Sequence, residues 1–181
     1  MGEHIQISPY DPQWPLLFEP LGQQLRVALG PVALRIDHIG STAVPNLDAK
    51  PILDIQISVA SLEPVASYRL PLETLGFLWR ADNPDRLKRY FRETPGTRRT
   101  HIHVRRAGSF SEQFALLFRD YLRASPQDAA HYAALKYRLA GEWSADRQAY
   151  TEAKGPFIWQ IMQKADVWAK ETGWEPGNSD G

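Results

Sequence analysis

The sequence contains no cysteine, which excludes disulfides, thiolate metal sites and catalysis by a thiol. It has no apolar run near the roughly 20 residues that a bilayer span needs. Its first residues, MGEHIQISPYDPQW, lack the basic and apolar regions of a signal peptide. We therefore expect a cytoplasmic protein with no membrane partner. The net charge is zero, with 21 basic and 21 acidic residues, so the overall field favours no polyanionic partner.

The composition is that of one globular domain: 181 residues, 43% hydrophobic and 23% charged. Alternating and helical patterns predict strands over 4–8, 32–39, 51–59, 77–80, 88–92 and 100–106, and helices over 15–29, 62–75, 110–124, 127–143 and 151–170. Residues 1–106 are thus sheet-rich and residues 107–170 helical, and residues 171–181 look like a frayed tail. We predict a single α+β domain over 1–181, with a mixed β-sheet, flanking helices and a C-terminal helical layer.

The stretch IGSTAVPNLDAKPILDIQI, residues 39–57, is the most informative. At Gly40 the backbone can approach a ligand closely, and neighbouring N–H groups can bind a phosphate. Ser41 or Thr42 could add a hydroxyl. Asp54 lies on the polar face of an alternating strand, the kind of rigid platform that Mg²⁺ coordination in phosphoryl transfer requires. Plainer interpretations, a tight strand exit and a solvated strand residue, stay open.

Two residues after Asp54 stands Gln56, where a second carboxylate would share the same strand face. Its neutral carbonyl is a weaker metal ligand. His101 and His103 share a face of a later strand, and two such imidazoles can bind a metal together or act as acid or base near neutral pH. His38, just before the Gly-Ser turn, is a supporting residue. Histidines on an exposed strand face often have no such role, so this interpretation also stays open.

Positive charge is concentrated between Asp85 and Arg106, where eight residues are basic and two acidic. Such an excess indicates an anion surface, although basic residues also protect sheet edges from pairing. The segment has only Tyr90 and Phe91 as aromatics, so we rank a small phosphorylated ligand above nucleic acid. Polar residues of the helical half either reach a phosphate across a cleft or lie at the surface: Lys136, Arg138, Arg147, Tyr150 and Lys154.

Ile39-Gly40-Ser41, then twelve residues, then Asp54-Ile55-Gln56-Ile57 resembles the signature of the nucleotidyltransferase superfamily. More narrowly, the chain resembles the GrpB family, also called UPF0157. The resemblance lies in YDPQWPLLF, IDHIGSTAVPNLDAKPILDI, THIHV, FRDYLRASP, YAALKYRLA and DRQAYTEAK. It implies a nucleotidyltransferase-like fold and a bacterial source. GrpB domains are also found fused to dephospho-CoA kinase in some bacteria. The resemblance implies no particular reaction.

The superfamily mechanism implies that Gly40 and Ser41 hold a triphosphate and that Asp54 holds a divalent ion. Asp54 and Ser41 are therefore the predicted catalytic residues. The predicted phosphate-binding residues are Gly40, Ser41, Thr42, Lys50, Arg99 and Lys154.

The superfamily's second carboxylate is replaced by Gln56, and its third usually stands on a later strand, here the one with His101 and His103. The resemblance therefore implies a modified metal site of Asp54 and His103, with His101 and Gln56 as further ligands. Imidazole ligands shift the preference from Mg²⁺ toward Mn²⁺ or Zn²⁺.

Three functions follow as hypotheses. The first is metal-dependent transfer of a nucleotidyl group to a small molecule or protein. The second is a non-catalytic module that binds a nucleotide or another phosphorylated small molecule, with a link to CoA metabolism. The third is a structural or partner-binding domain, which the kinase fusions permit.

Overall fold

The computed structural model describes residues 4–181 and contains a five-stranded sheet in the order β1-β2-β5-β4-β3. The strands are β1 (Arg35–Ile39), β2 (Leu53–Val59), β3 (Phe77–Trp79), β4 (Lys88–Glu93) and β5 (Thr100–Arg106). The helices are α1 (Gln13–Leu29), α2 (Ala66–Thr74), α3 (Phe110–Ala124), α4 (Pro126–Glu142), α5 (Arg147–Ala153) and α6 (Gly155–Thr172). The α+β class and the mixed sheet were both expected from the sequence.

Strands β2 and β5 are parallel neighbours, and every other pairing in the sheet is antiparallel. Asp54 is aligned with His101 and Gln56 with His103. Because side chains alternate across a strand, these four project from the same face of the sheet. The register therefore brings together residues that are about 47 positions apart in the chain, at the centre of the sheet.

The other face of the sheet carries the main hydrophobic core beneath α1 and α2. Alternation on β2 sends Ile55 and Ile57 to this side, where both are fully buried. Helix α1 contributes an apolar stripe at four-residue spacing, as core-facing helices do. The fully or almost fully buried members include Phe18, Leu25, Leu29, Ala33, Ile36, Ile55, Ile57, Val59, Tyr68, Leu72, Phe91, Ile102 and Val104.

Helix α3 crosses the face that carries Asp54, and it packs with α4 and α6 into the C-terminal helical layer. Ser109 caps α3, since its side chain accepts a hydrogen bond from the N–H of Glu112. A second cluster of buried residues lies here, including Leu47, Leu122, Tyr132, Ile161 and Ala165. The helical layer thus stands opposite the polar end of β2. Within residues 4–181, no helix is both long and apolar enough to cross a membrane.

Local details differ from the sequence prediction. Residues 4–8 form no strand, only one bridge between Ser8 and Ala49. The strand predicted over 32–39 begins at Arg35, because residues 30–32 form a 3₁₀ turn. The helix predicted over 151–170 is two helices, α5 and α6. Asp146 caps α5 through the N–H of Ala149, and the Pro156 ring suits the first turn of α6.

The tail was expected to be frayed, yet residues 177–181 lie along the edge of β1. The N–H of Ile36 donates to Ser179 Oγ (2.8 Å), and the N–H of Asp180 donates to Ile36 O (3.0 Å). Arg26 of α1 donates to Gly181 O (2.9 Å). The outward polar groups of an edge strand need partners, and here side-chain oxygens and main-chain N–H groups of the tail supply them. A short polar sequence gives no such signal by itself.

The packing of the core predicts that substitutions at two positions of α1 differ sharply in their effect on the free energy of unfolding. Leu25 is fully buried, whereas Val27 is 85% exposed. We expect Leu25→Ala to lower the free energy of unfolding by about 2–5 kcal/mol, because the lost side chain leaves a cavity. Val27→Ala should change it by no more than about 0.5 kcal/mol. Chemical denaturation measures both, and equal effects would contradict this placement of α1.

Candidate functional site

The turn from β1 toward β2 packs directly against Asp54. Gly40 has φ +71° and ψ −169°, a conformation that only glycine adopts without strain. A Cβ atom built on Gly40 would lie 2.9 Å from Asp54 Oδ2 and 3.0 Å from Asp54 Cβ. Ser41 to Ala43 then form one 3₁₀ turn. Glycine is required here for both reasons, and the close approach fixes one side of the carboxylate.

Two imidazoles fix the other side of Asp54. Its Oδ1 lies 3.3 Å from His101 Nδ1 and 3.2 Å from His103 Nε2. The ring of Tyr90 lies beside both imidazoles, with ring centroids 5.5 and 5.3 Å away. The carboxylate side chain keeps 30% of its surface exposed, so it remains accessible to a ligand.

The donor atoms of Asp54, His101 and His103 all lie within 4.8 Å of one another. One ion bound to all three would need such a separation or less. The structure therefore brings together the carboxylate and the two histidines that the sequence singled out. One oxygen and two nitrogen donors can bind one divalent cation, or the carboxylate can simply orient the two rings.

Electrostatics set the charges of this group. Burial raises the pKa of Asp54, but hydrogen bonds from His101 and His103 outweigh it and bring the pKa well below its usual range. Burial lowers the pKa of His103 to about 4, although Asp54 opposes the shift. At neutral pH Asp54 is thus an anion and His103 a neutral imidazole, the forms in which both bind metals.

Gln56 is placed differently from the other predicted ligands. It is fully buried, and its Oε1 accepts a hydrogen bond from Arg105 Nη1 (2.6 Å). Its Nε2 donates to the main-chain oxygen of Glu112 at the start of α3 (3.3 Å). The amide therefore joins the sheet to α3, and Gln56 is absent from the residues that line the cleft described next.

A cleft of about 440 Å³ opens between the sheet and the helical layer. One wall holds Gly40, Ser41, Asp54, Tyr90, His101 and His103, and the opposite wall holds Phe118, Tyr132, Lys136, Arg147, Tyr150 and Lys154. Lys50 and Lys88 also line it. Among the described lining residues, Asp54 is the sole carboxylate against five cationic side chains. The cleft thus carries an excess of positive charge.

The lysines of the cleft are held by aromatic faces and by one carbonyl. Lys50 and Lys154 lie over the ring of Tyr150, 4.8 and 4.6 Å from its centre. Lys136 lies over Tyr132 and donates to the main-chain oxygen of Asp48. Burial lowers the pKa of Lys136 to about 7 and, with repulsion from Lys154 and Arg147, that of Lys50 to about 8.

Of the predicted phosphate-binding residues, Gly40, Ser41, Lys50 and Lys154 meet in this cleft. Thr42 also borders it, but its hydroxyl donates to Ile52 O (3.2 Å) and lies 2.9 Å from His38 Nε2. Arg99 borders a neighbouring pocket of about 170 Å³, with Lys50 and Arg147, and pairs with Glu93 at 2.9 Å.

His38 does not join the other histidines. It is paired with Ile55 across the strands, so its side chain projects to the core face. There it stacks on Phe18 with ring centroids 5.0 Å apart. Burial lowers its pKa to about 4. The expectation that His38 supports the carboxylate group is thus replaced by a role in the core beneath the turn.

Tyr132 and Phe118 line the cleft, although the sequence did not predict them as site residues. Tyr132 and Lys136 stand four residues apart on α4, and Arg147, Tyr150 and Lys154 follow helical spacing across α5. Residues so spaced share a helix face. A polar-aromatic face on two successive helices was therefore the available signal, but only the fold shows that this face meets Asp54.

Comparison with solved structures identifies the class of fold. The structure resembles the Cid1 poly(U) polymerase in its MgGTP-bound form, with a TM-score of 0.52 and 14% identity over 76% of this chain and 44% of that one. This likeness concerns the fold, which is nucleotidyltransferase-like.

The family follows from closer comparisons. The profile of the family described as GrpB protein matches residues 4–164, so the chain belongs to the GrpB family. A UPF0157 protein of Pseudomonas aeruginosa is 39% identical over 167 residues, which cover 90% of this chain and 68% of that protein. The crystal structure of GrpB from Enterococcus faecalis has a TM-score of 0.81 and 34% identity, covering 90% of this chain and 99% of the other.

Other relatives are longer. A UPF0157 protein of Bacillus subtilis is 34% identical over 166 residues, covering 92% of this chain but 48% of that protein. A dephospho-CoA kinase of Mycobacterium tuberculosis is 32% identical over 196 residues, covering 94% of this chain and 48% of that enzyme. The chain thus spans about half the length of these two relatives.

The contact between the turn and Asp54 predicts the effect of a single methyl group. We expect Gly40→Ala to lower the free energy of unfolding by about 1–3 kcal/mol, through backbone strain and the clash with Asp54. Gly141→Ala is the matched control, because a Cβ there meets nothing within 4 Å. It should stabilise α4 by up to about 1 kcal/mol. Equal changes in denaturation would show that the turn does not press on Asp54.

The buried histidines predict a loss of stability in mild acid. The pKa of His38 and of His103 is 6.5 unfolded and about 4 folded, so the unfolded state binds more protons in this window. Stability is then fully present above pH 6.5 and falls as the pH drops toward 4, by about 3 kcal/mol per histidine at most. Denaturation across this range measures the slope, which His38→Gln should reduce. The exposed His131→Gln is the control, and an equal slope in all three proteins would refute the assignment for His38.

Proposed function

We propose that this chain is a metal-dependent nucleotidyltransferase whose ligand, a nucleoside polyphosphate, binds in the cleft between the sheet and the helical layer. The observation that carries the proposal is the convergence of Asp54, His101 and His103 on one wall, opposite a wall of lysine and arginine side chains. A divalent ion on the first wall and a polyphosphate between the walls would satisfy both sets of charges.

The donor set suits one divalent ion. The ligands would be a carboxylate oxygen of Asp54, His101 Nδ1 and His103 Nε2, the atoms already grouped here. Mixed oxygen and imidazole donors favour Mn²⁺ or Zn²⁺ over Mg²⁺. When bound, such an ion neutralises phosphate charge and orients the reacting phosphorus. No role follows for Gln56, whose amide oxygen is taken by Arg105.

In each histidine, the ring nitrogen that faces away from Asp54 limits the affinity of the proposed metal site. His101 Nε2 and His103 Nδ1 are buried without a hydrogen-bond partner among the described residues. Ligand histidines usually donate from that nitrogen to an acceptor, which fixes the tautomer and strengthens the bond to the metal. Here each ring proton is better placed on the nitrogen that faces Asp54, so an ion that binds this nitrogen must displace the proton. We therefore infer moderate affinity.

The opposite wall would hold the phosphates. Lys50, Lys136 and Lys154 share the cleft with Arg147, and burial, together with weaker repulsion among these cations, lowers the pKa of each lysine. A bound polyanion would reverse this effect, since a nearby negative charge stabilises an ammonium. Gly40 and Ser41 would contact the phosphate from the side of the sheet. Catalysis would then consist of positioning and charge stabilisation, as in phosphoryl transfer generally.

A second function is favoured by one observation. The strand position that carries the superfamily's second acid holds Gln56, which is buried and bonded to Arg105 and to the start of α3. This favours a non-catalytic module that binds a nucleotide or another phosphorylated metabolite. A link to CoA metabolism would fit this function, because mycobacterial dephospho-CoA kinases contain a region similar to this chain.

A metal titration tests whether Asp54, His101 and His103 bind a divalent ion. We expect calorimetric titration to show Mn²⁺ or Zn²⁺ binding that Asp54→Asn weakens at least about tenfold, through loss of the anionic ligand. Asp166→Asn is the matched control, since Asp166 is exposed on α6 and pairs only with Lys170 among the described residues. Equal and negligible binding by wild type and Asp54→Asn would refute the metal site.

The same proteins separate the two functions. Nucleotides labelled at the α-phosphate are incubated with Mn²⁺ and a panel of small-molecule and protein acceptors, while thermal shifts report nucleotide binding. Label transfer that requires both metal and Asp54 supports the nucleotidyltransferase. A thermal shift that needs no metal, without transfer, supports the binding module. No shift with any nucleotide or CoA precursor would contradict both.

A further inference from the structure

The Gly40–Ser41 turn is held at both ends by two arginines of α3. Arg119 Nη1 donates to the main-chain oxygen of His38 (3.1 Å), just before the turn. Arg123 Nε donates to the main-chain oxygen of Ala43 (2.9 Å), just after it. We call Arg119 and Arg123 the arginine clamp. The clamp fixes where the turn stands relative to Asp54, because the residues between its two anchors have little freedom left.

The clamp itself depends on carboxylates. Arg119 is only 3% exposed, and a buried guanidinium is stable only when its charge and its donors are matched. Asp120 accepts from Arg119 Nε (2.7 Å) and lies 3.5 Å from Arg123 Nη1. Asp180 Oδ2 accepts from Arg119 Nη1 at 2.8 Å. Asp37 lies farther away, at 3.9 Å.

Two residues of the tail, Asp180 and Trp174, support the clamp. The Asp180 carboxylate accepts from Arg119 and also from the N–H of His38 (3.0 Å), so one oxygen joins α3 to the strand that leads into the turn. Trp174 Nε1 donates to Asp120 Oδ2 (3.1 Å) and so orients the other carboxylate. Both residues lie beyond the segment 4–164 that the family profile matches.

We propose that Asp180 and Trp174 are positioning residues for the Gly40–Ser41 turn. Both act through the arginine clamp, Asp180 also through its bond to the N–H of His38, and neither lines the cleft. The tail thereby sets how well the turn is formed, and with it the affinity of the cleft for phosphate. The consequence for affinity rests on the proposed function, whereas the effect on the turn does not.

A simpler role is that of a cover for the edge of β1, which would contribute only to global stability. The two roles differ in what they predict for the turn. If the tail only covers the edge of β1, loss of its contacts weakens that strand and the fold as a whole. A lost positioning contact loosens the turn selectively, because the bonds of Arg119 and Arg123 to the chain are disturbed while the core remains packed.

Hydrogen exchange of the full chain tests this directly. The reporters are the N–H groups of Ala43 and Val44, which close the turn by bonding to Gly40 O and Ser41 O. In Asp180→Asn and in Trp174→Phe we expect their exchange to accelerate about tenfold, with core strands unchanged. The N–H of His38 is excluded, since Asp180→Asn alters its own partner. Asp166→Asn removes the same charge from an exposed site on α6 and serves as control.

The outcomes separate the possibilities. Faster exchange confined to the turn in both variants supports the proposal, and unchanged exchange at Ala43 and Val44 overturns it. Uniformly faster exchange that includes β2 and β5 also overturns the proposal and supports the simpler role, in which the tail only covers the edge of β1. Inorganic triphosphate is then titrated with Mn²⁺ present. A dissociation constant for triphosphate that is severalfold larger in the two variants than in wild type supports the link to affinity. If wild type binds no triphosphate, the proposed function fails while the exchange result on the turn still stands.

Discussion

The site depends on one partly exposed carboxylate with three fixed neighbours. Asp54 is pressed by the turn at Gly40 and accepts hydrogen bonds from His101 and His103. Burial raises the pKa of this carboxyl, but hydrogen bonds from the imidazoles outweigh it and bring the pKa well below its usual range, so the group stays charged. Each neighbour imposes a condition on the fold: a glycine with positive φ, and a parallel pairing of β2 and β5 in one register. A slip by one residue would turn the histidines to the core face.

The helical layer contributes to the site through its positive charge rather than through direct contact with Asp54. Lys136 is almost fully buried, and its amine is held by the Asp48 carbonyl and the Tyr132 ring. Burial of this ammonium is costly and lowers its pKa, and the charge of Asp48 offsets only part of that cost. The positive wall is therefore incompletely compensated in the free protein, and an anionic ligand would relieve the imbalance. The charge pattern favours an anionic ligand before any reaction is considered.

The sequence predicted what short-range patterns determine. Alternation on β2 identified Asp54 as a polar-face residue, and the two histidines of β5 were placed on one face in the same way. It could not predict contacts that depend on several elements at once. Gln56 looked like a metal ligand because its strand face was right, but α3 covers that position. Asp180 looked frayed because the partner that orders it, Arg119, is 61 residues away in the chain.

Gln56 has a physical reason to be neutral. An acid there would gain an ion pair with Arg105, but its oxygen would face the main-chain oxygen of Glu112, to which the amide now donates. The strand position is thus used to attach α3, and an ion bound as proposed would rely on Asp54 and the two imidazoles. With one carboxylate ligand, such a divalent ion would keep a net positive charge next to lysines that repel it. A polyphosphate removes both penalties, so binding of metal and anion should be mutually dependent, each weak alone and stronger together.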